Sequence, residues 1–272
     1  MIPIPRDPEI DVTDVPRHWA GNNAVATAIS NGINLMFPIG ERFFVRSVHH
    51  YLDQITDSTL RAQVKAFFKQ EGHHAHAHDE LNEILRMQGF EIDNFLALYE
   101  KVGGWLEKVM GPKLNLAGTA AAEHFTAIMA DGAFRKGVLD LLHPTMQKLL
   151  AWHAAEEIEH KAVAFDVLKQ VDDSYWLRMG GLAYATIMMT SMWLVSGVSL
   201  IRQEKLGWRG IRAQLRAAKQ GEKARGDGPV LTRVFLRGIR EYIRRDFHPN
   251  DNANYHLARE WFASHGMQFE AA

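Results

Sequence analysis

Cysteine is absent from all 272 residues. Disulfides, iron–sulfur clusters and thiolate zinc sites are thereby excluded, and a tight metal site must be built from histidine and carboxylates. Period-2 alternation is also missing, and no Asn-Gly or Asp-Gly turn sits between strand-like runs, which argues against a sheet. No dinucleotide fingerprint is present, so neither nicotinamide nor flavin is expected as a resident group. The basic residues follow no nucleic-acid-binding motif, and no nucleic acid is expected as a partner. The stretch Met1–Asp14 is proline-rich and acidic without an apolar run, unlike a signal peptide, so the expected compartment is the cytoplasm.

The remaining composition is that of a globular protein. A hydrophobic content of 47% with 10% aromatics excludes a disordered chain, and the length suffices for one large core with an appendage. The formal net charge of −1 hides an asymmetry: the first 200 residues are net acidic, whereas residues 201–250 are strongly basic.

Helical periodicity dominates. Residues 1–37 read as an extended lead-in, with prolines at positions 3, 5, 8 and 16. Glu41 to Ile55 carries a helical apolar stripe, and Asp57 or Ser58 can cap a long helix running to about Gln88, closed by Gly89. A helix over 94–110, interrupted near Gly103-Gly104, is followed by Pro112 and a helix over 114–130. Pro144 precedes a last long helix, Met146 to Val171. The expected fold is all-α, a helical bundle over 38–174 with an apolar helix at 175–202 and basic C-terminal helices over 203–272.

The chemistry concentrates in Trp152-His153-Ala154-Ala155-Glu156-Glu157-Ile158-Glu159-His160. On a helix His153, Glu157 and His160 fall at i, i+4 and i+7, hence on one face. Two imidazoles and a carboxylate from one face suit a first-row divalent metal. A partial copy, Glu71-Gly72-His73-His74, repeats the Glu-x-x-His spacing. A lone helical glutamate precedes each copy, Glu41 by 30 residues and Glu123 by 34. Those separations let a helix run out, turn and return to the same level. Two cations a few ångströms apart repel, and about four carboxylates neutralise them.

This pattern resembles the ferritin-like di-iron carboxylate superfamily, whose four-helix bundle pairs glutamates with Glu-x-x-His motifs. The additional His153 makes the set similar to that of the arylamine N-oxygenases, which carry a third histidine. The wording Gly-Glu-Arg-Phe-Phe around Glu41 and His-x-x-Glu-Glu-x-Glu-His-Lys up to Lys161 is also similar to a bacterial family known only as predicted metal-dependent hydrolases. The resemblance covers roughly residues 38–170. It implies Glu41, Glu71, His74, Glu123, His153, Glu157 and His160 as metal ligands. It also implies two iron ions as cofactor, with manganese or zinc as alternatives.

Each residue also has a plainer reading. Glu41 can be a helix-end charge. His153 can orient Glu157 without touching metal. His78 shares the face of His74 as a supporting residue or alternative ligand, whereas His73 and His76 point elsewhere. His49 lies some 12 Å along the helix from Glu41, too far for the same metal pair. His124 points about 100° from Glu123 and is not expected to be a ligand. Glu156 and Glu159 lie on other faces and are expected to be structural or supporting.

Residues 179–201 carry no charge. Three placements follow: a fifth helix against the bundle or in a homodimer, a helix dipped into a bilayer, or a single span. Arg202, Lys205, Arg209, Arg212, Arg216, Lys219 and Lys223 recur at helical spacing, Gly226-Asp227-Gly228-Pro229 breaks that helix, and a second basic helix follows from Thr232 to Arg245. A basic amphipathic helix beside an apolar one suits a peripheral position at the inner face of an anionic membrane.

The leading functional expectation is an oxygen-activating di-iron enzyme that hydroxylates, desaturates or N-oxygenates a small, apolar organic substrate with O2 and an external electron donor. The alternatives are a binuclear metal-dependent hydrolase using a metal-bound hydroxide, and a non-enzymatic iron- or peroxide-handling protein.

Overall fold

The computed structural model describes residues 1–135, 137–224 and 230–269, and regular structure among them is helical, with one isolated bridge between Ala20 and Leu142. The all-α class follows directly. The expected break at Gly226–Pro229 lies outside the described residues.

The lead-in is shorter than its prolines suggest. Helix α1 (Ala24–Asn34) occupies part of 1–37, its first turn capped by the Asn23 side chain, which accepts from the Ala26 amide. Alanines and a good cap outweigh the polar, glycine-containing end of that segment. Helix α2 (Phe37–His49) starts on Pro38 in its first turn. Helix α3 (Ser58–Met87) is capped by Asp57, which accepts from Leu60 N, and ends before Gly89 at φ +85°.

Helix α4 (Asp93–Arg135) runs through Gly103-Gly104 instead of breaking there. Its kink falls at Gly111, whose φ of 75° favours glycine, and Pro112 starts the second half. The expected helix 146–171 is two helices, α5 (Pro144–His160) and α6 (Val163–Val171). At their joint the buried Lys161 ammonium leaves the bundle to donate to Asn252 O and Asn254 Oδ1, both at 2.6 Å.

Helices α2, α3, α4 and α5 surround a polar interior that is flanked by apolar clusters. One contains Val48, Phe67, Phe125 and Phe165. Another contains Leu81, Leu149, Trp152, Ile158 and Phe262. Each such side chain contributes ~2 kcal/mol by leaving water, so the helices are held tightly enough to keep charged groups inside.

Helix α7 (Tyr175–Gln203) lies along α4 and α1. The approach is close because its contact residues are small: a methyl on Gly181 would sit 2.3 Å from the Ala117 backbone, and one on Gly32 2.9 Å from Gly197 N. Ser196 Oγ and Trp193 Nε1 donate to the Gly32 and Ile29 carbonyls of α1. The opposite face is exposed and apolar, with Ile187 67% and Leu194 68% accessible. Of the three placements expected for this segment, the structure shows one face packed on the bundle. Helix α8 (Trp208–Ala224) rests on α1 through Gln214, α9 (Val230–Tyr242) on α4, and α10 (Tyr255–Ser264) on α5, burying Phe262.

Candidate metal centre

Each bundle helix turns carboxylates or imidazoles inward. Glu41 comes from α2, Glu71 and His74 from α3, Glu123 from the straight second half of α4, and His153, Glu157 and His160 from α5. All seven are at most 4% exposed. The i, i+4, i+7 spacing on α5 and the i, i+3 spacing on α3 bring their ligand atoms to one level, as the helix period requires.

The seven form two overlapping halves. On one side His160 Nε2 lies 3.1 Å from Glu71 Oε1, 3.2 Å from Glu123 Oε2 and 3.6 Å from Glu157 Oε2. On the other, His74 Nδ1 lies 3.9 Å from Glu71 Oε1 and 3.8 Å from Glu157 Oε1, and His153 Nε2 lies 2.9 Å from Glu157 Oε1 and 3.7 Å from Glu41 Oε1. Donor atoms of Glu41, Glu71 and His74 fall within 4.8 Å of one another, as do those of His74, His153 and Glu157 and those of Glu71, Glu123 and His160. Glu71 and Glu157 belong to both halves.

The outward nitrogens decide what the inward ones carry. His160 Nδ1 meets Gln70 Oε1 at 2.9 Å, and Gln70 is oriented because its Nε2 donates to Glu159 Oε2 at 2.7 Å. His160 therefore donates outward through Nδ1 and turns Nε2 toward the carboxylates, where a proton or a cation must sit between them. His74 Nε2 likewise donates to Glu156 Oε2 at 3.0 Å, leaving Nδ1 as an inward lone pair. His153 Nδ1 meets His78 Nε2 at 2.6 Å, and His78 Nδ1 meets Asn34 Oδ1 at 2.5 Å. Asn34 is itself fixed by donating to Asn82 Oδ1. With Asn34 Oδ1 as final acceptor the protons run from His153 to His78 to Asn34, and His153 Nε2 turns to Glu157 Oε1, its hydrogen-bond partner at 2.9 Å.

Three imidazole nitrogens thus face four carboxylates. Both oxygens of Glu41, Glu71 and Glu123, Glu157 Oε2, His74 Nδ1 and His160 Nε2 are buried without a hydrogen-bond partner. Acceptors crowded onto acceptors are repulsive, and cations between them reverse the sign of the interaction. The donor set of imidazoles and carboxylates without sulfur fits first-row divalent ions.

The charge environment agrees. Burial, reinforced by the neighbouring carboxylates, holds Glu41 and Glu71 well above the ordinary carboxylate range and pushes Glu123 up to about 7. Burial drives His74 and His78 well below the ordinary imidazole range, so both stay neutral, as metal ligation and its supporting hydrogen bonds require. At His160 burial acts downward too, but Glu123 and Glu157 overcome it and raise the group. The pocket calls for positive charge, and two divalent ions would balance its four carboxylates.

Aromatic rings close the cluster: Phe37 against His78 and His153, Trp152 edge-on to His74, and Phe67 edge-on to His160. The other histidines behave as their helical positions predict. His124 donates to Gly238 O at 3.0 Å, His73 pairs with Arg6 O, and His49, His50 and His76 are exposed. Glu156 and Glu159 support the centre from outside. Sequence reading passed over Gln70, Asn34, Asn82 and Arg6. Gln70 sits four residues before His74 and could have been found by spacing, whereas Asn34 and Arg6 lie in the stretch expected to be extended.

A family profile described as predicted metal-dependent hydrolase matches residues 4–253. No curated protein and no solved structure matches the chain significantly.

Proposed function

The chain belongs to the family of predicted metal-dependent hydrolases, and on that premise we propose that the buried cluster is a two-cation centre that hydrolyses a small molecule. Glu41, His74 and His153 would hold one ion and Glu123 and His160 the other, with Glu71 and Glu157 within reach of either half. The observation that carries this reading is the commitment of the three outward imidazole nitrogens, which turns three inner nitrogens toward four buried carboxylates, all of whose oxygens except Glu157 Oε1 lack a hydrogen-bond partner. When bound, such a pair of divalent ions lowers the pKa of water and polarises a substrate oxygen.

The residues divide unequally. Of the seven residues, five face the Glu41 half counting Glu71 and Glu157, and four face the Glu123 half, Glu157 through its 3.6 Å approach to His160 Nε2; His78 also comes within reach of Glu41 and His153. Phe67, edge-on to His160, and Trp152, edge-on to His74, limit bulk water at the two halves and keep the carboxylate–imidazole set in a low-dielectric setting.

A second reading, oxygen activation by a di-iron centre, is favoured by the donor set itself: four glutamates and two Glu-x-x-His imidazoles from four bundle helices, the arrangement of ferritin-like di-metal proteins, with His153 as a third imidazole. It needs O2 and an external electron donor. The two are separated by loading metal-free protein with Zn2+ or Mn2+ and assaying esters, amides and phosphoesters without oxygen, then loading with Fe2+ and measuring O2 uptake. Anaerobic turnover with Zn2+ supports hydrolysis. O2 consumption confined to Fe2+, with no hydrolysis, replaces it by the second reading.

The reading extends to location. The outward apolar face of α7 with Ile187, Leu194, Val195 and Val198, followed by α8 with exposed Trp208, Arg209, Arg212 and Arg216, supports a peripheral seat on an anionic bilayer. An apolar substrate would reach the enzyme from there.

A further inference from the structure

The segment before α1 reaches the back of the cluster through one side chain. The Arg6 guanidinium grips Glu159 with two contacts, 2.8 and 3.0 Å, and reaches Glu156 Oε1 at 3.2 Å. The Arg6 amide also donates to Glu156 Oε1, at 3.1 Å. The guanidinium lies 3.6 Å above the Phe262 ring of α10, and its side chain is 8% exposed against carboxylates at 0%.

Those two carboxylates are the outer partners of two different histidines. Glu156 uses its second oxygen, Oε2, to accept from His74 Nε2 at 3.0 Å. Glu159 uses Oε2 to accept from Gln70 Nε2 at 2.7 Å, and Gln70 Oε1 accepts from His160 Nδ1 at 2.9 Å. His74 belongs to one half of the cluster and His160 to the other. One guanidinium thus ends two hydrogen-bond lines, one for each half.

We propose that Arg6 is a positioning residue for the metal centre, fixing His74 through Glu156 and His160 through Glu159 and Gln70. Outer carboxylates set the ring orientation, the tautomer and the basicity of a ligating imidazole. A carboxylate pair at α5 without a counter-charge would repel, rotate and release both rings. The bidentate fork of arginine matches this geometry, and lysine reproduces the charge without the fork.

The inference rests on the two-cation reading, and its test keeps the two apart. Full-length wild type, Arg6→Gln and Arg6→Lys are titrated with Co2+ against a chromophoric chelator, recording the visible Co2+ spectrum, with melting of the metal-free proteins as the folding control. Arg6→Gln is expected to weaken Co2+ binding about ten- to hundredfold and to alter the visible bands, with Arg6→Lys in between. Folded Arg6→Gln with wild-type affinity and spectrum overturns the role of Arg6 and leaves the metal centre standing. Wild type that takes up no Co2+ overturns the centre itself, and with it this inference. Should Arg6→Gln fail to fold, Arg6→Lys carries the decision, and wild-type affinity and bands there overturn the proposal.

Discussion

Nδ1 of His153 lies 2.6 Å from Nε2 of His78, so one histidine fixes the proton of the other. His78 in turn relies on Asn34 Oδ1, which makes α1 part of the centre's support. His78→Asn shortens the side chain and breaks this line. Metal titration should show one of two binding events weakened about tenfold, with the other unchanged. An unchanged titration would make His78 a packing residue only.

His124 has a neutral role in the fold. Burial lowers it to about 4 from an ordinary 6.5 while it donates to Gly238 O. With its folded pKa depressed, the unfolded chain binds the proton first as pH falls below 6.5, so stability is full above that value and is lost toward 4. Urea unfolding should show wild type losing roughly 2 kcal/mol more than His124→Gln between pH 7 and pH 5. Parallel losses would remove His124 from the acid sensitivity.

Gly181 tests the packing of α7. A methyl there meets the Ala117 carbonyl carbon and oxygen at 2.3 Å, which only backbone movement can relieve. Gly181→Ala should cost roughly 3 kcal/mol. Gly104→Ala, in a helical site with nothing within 4 Å, should gain ~0.5–1 kcal/mol. Equal melting temperatures for the two variants would refute the close α4–α7 contact.

The exposed α7 face and the basic α8 helix predict co-flotation with vesicles of about one-third anionic lipid at low salt, and loss of binding to neutral vesicles. Reversing Arg209, Arg212 and Arg216 to glutamate should lower binding at least tenfold, at ~1 kcal/mol per charge. Wild type that stays behind as a stable dimer, with no lipid binding, would assign the face to a second copy of the chain.

The cluster was legible because it obeys two rules of spacing. Glu71–His74 at i, i+3 and His153–Glu157–His160 at i, i+4, i+7 can only point one way on a helix. The absence of cysteine then left little else to bind a metal. The support was less legible. Arg6 sits in a proline-marked stretch with no periodicity and Asn34 at the end of α1, inside the expected extended lead-in, and they acquire a role only through contacts about 150 and 40 residues away. Helix ends were legible where a local signal marks them, as at Asp57 and Gly89. Gly103-Gly104 misled because two glycines cost a helix only ~2 kcal/mol, less than the hydrogen bonds and packing that carry α4 through them. The joint at Lys161 has neither glycine nor proline, and tertiary contacts to Asn252 and Asn254 mark it instead.

The shared position of Glu71 and Glu157 is tested most directly by metal content. Protein dialysed against excess Zn2+ or Mn2+ and then freed of loose ions should hold two per chain. Glu123→Gln should keep one, and Glu71→Gln or Glu157→Gln, each removing a donor from both halves, should hold fewer than one. Wild type with no bound metal, or a Glu71→Gln protein still holding two, would contradict the two-cation centre.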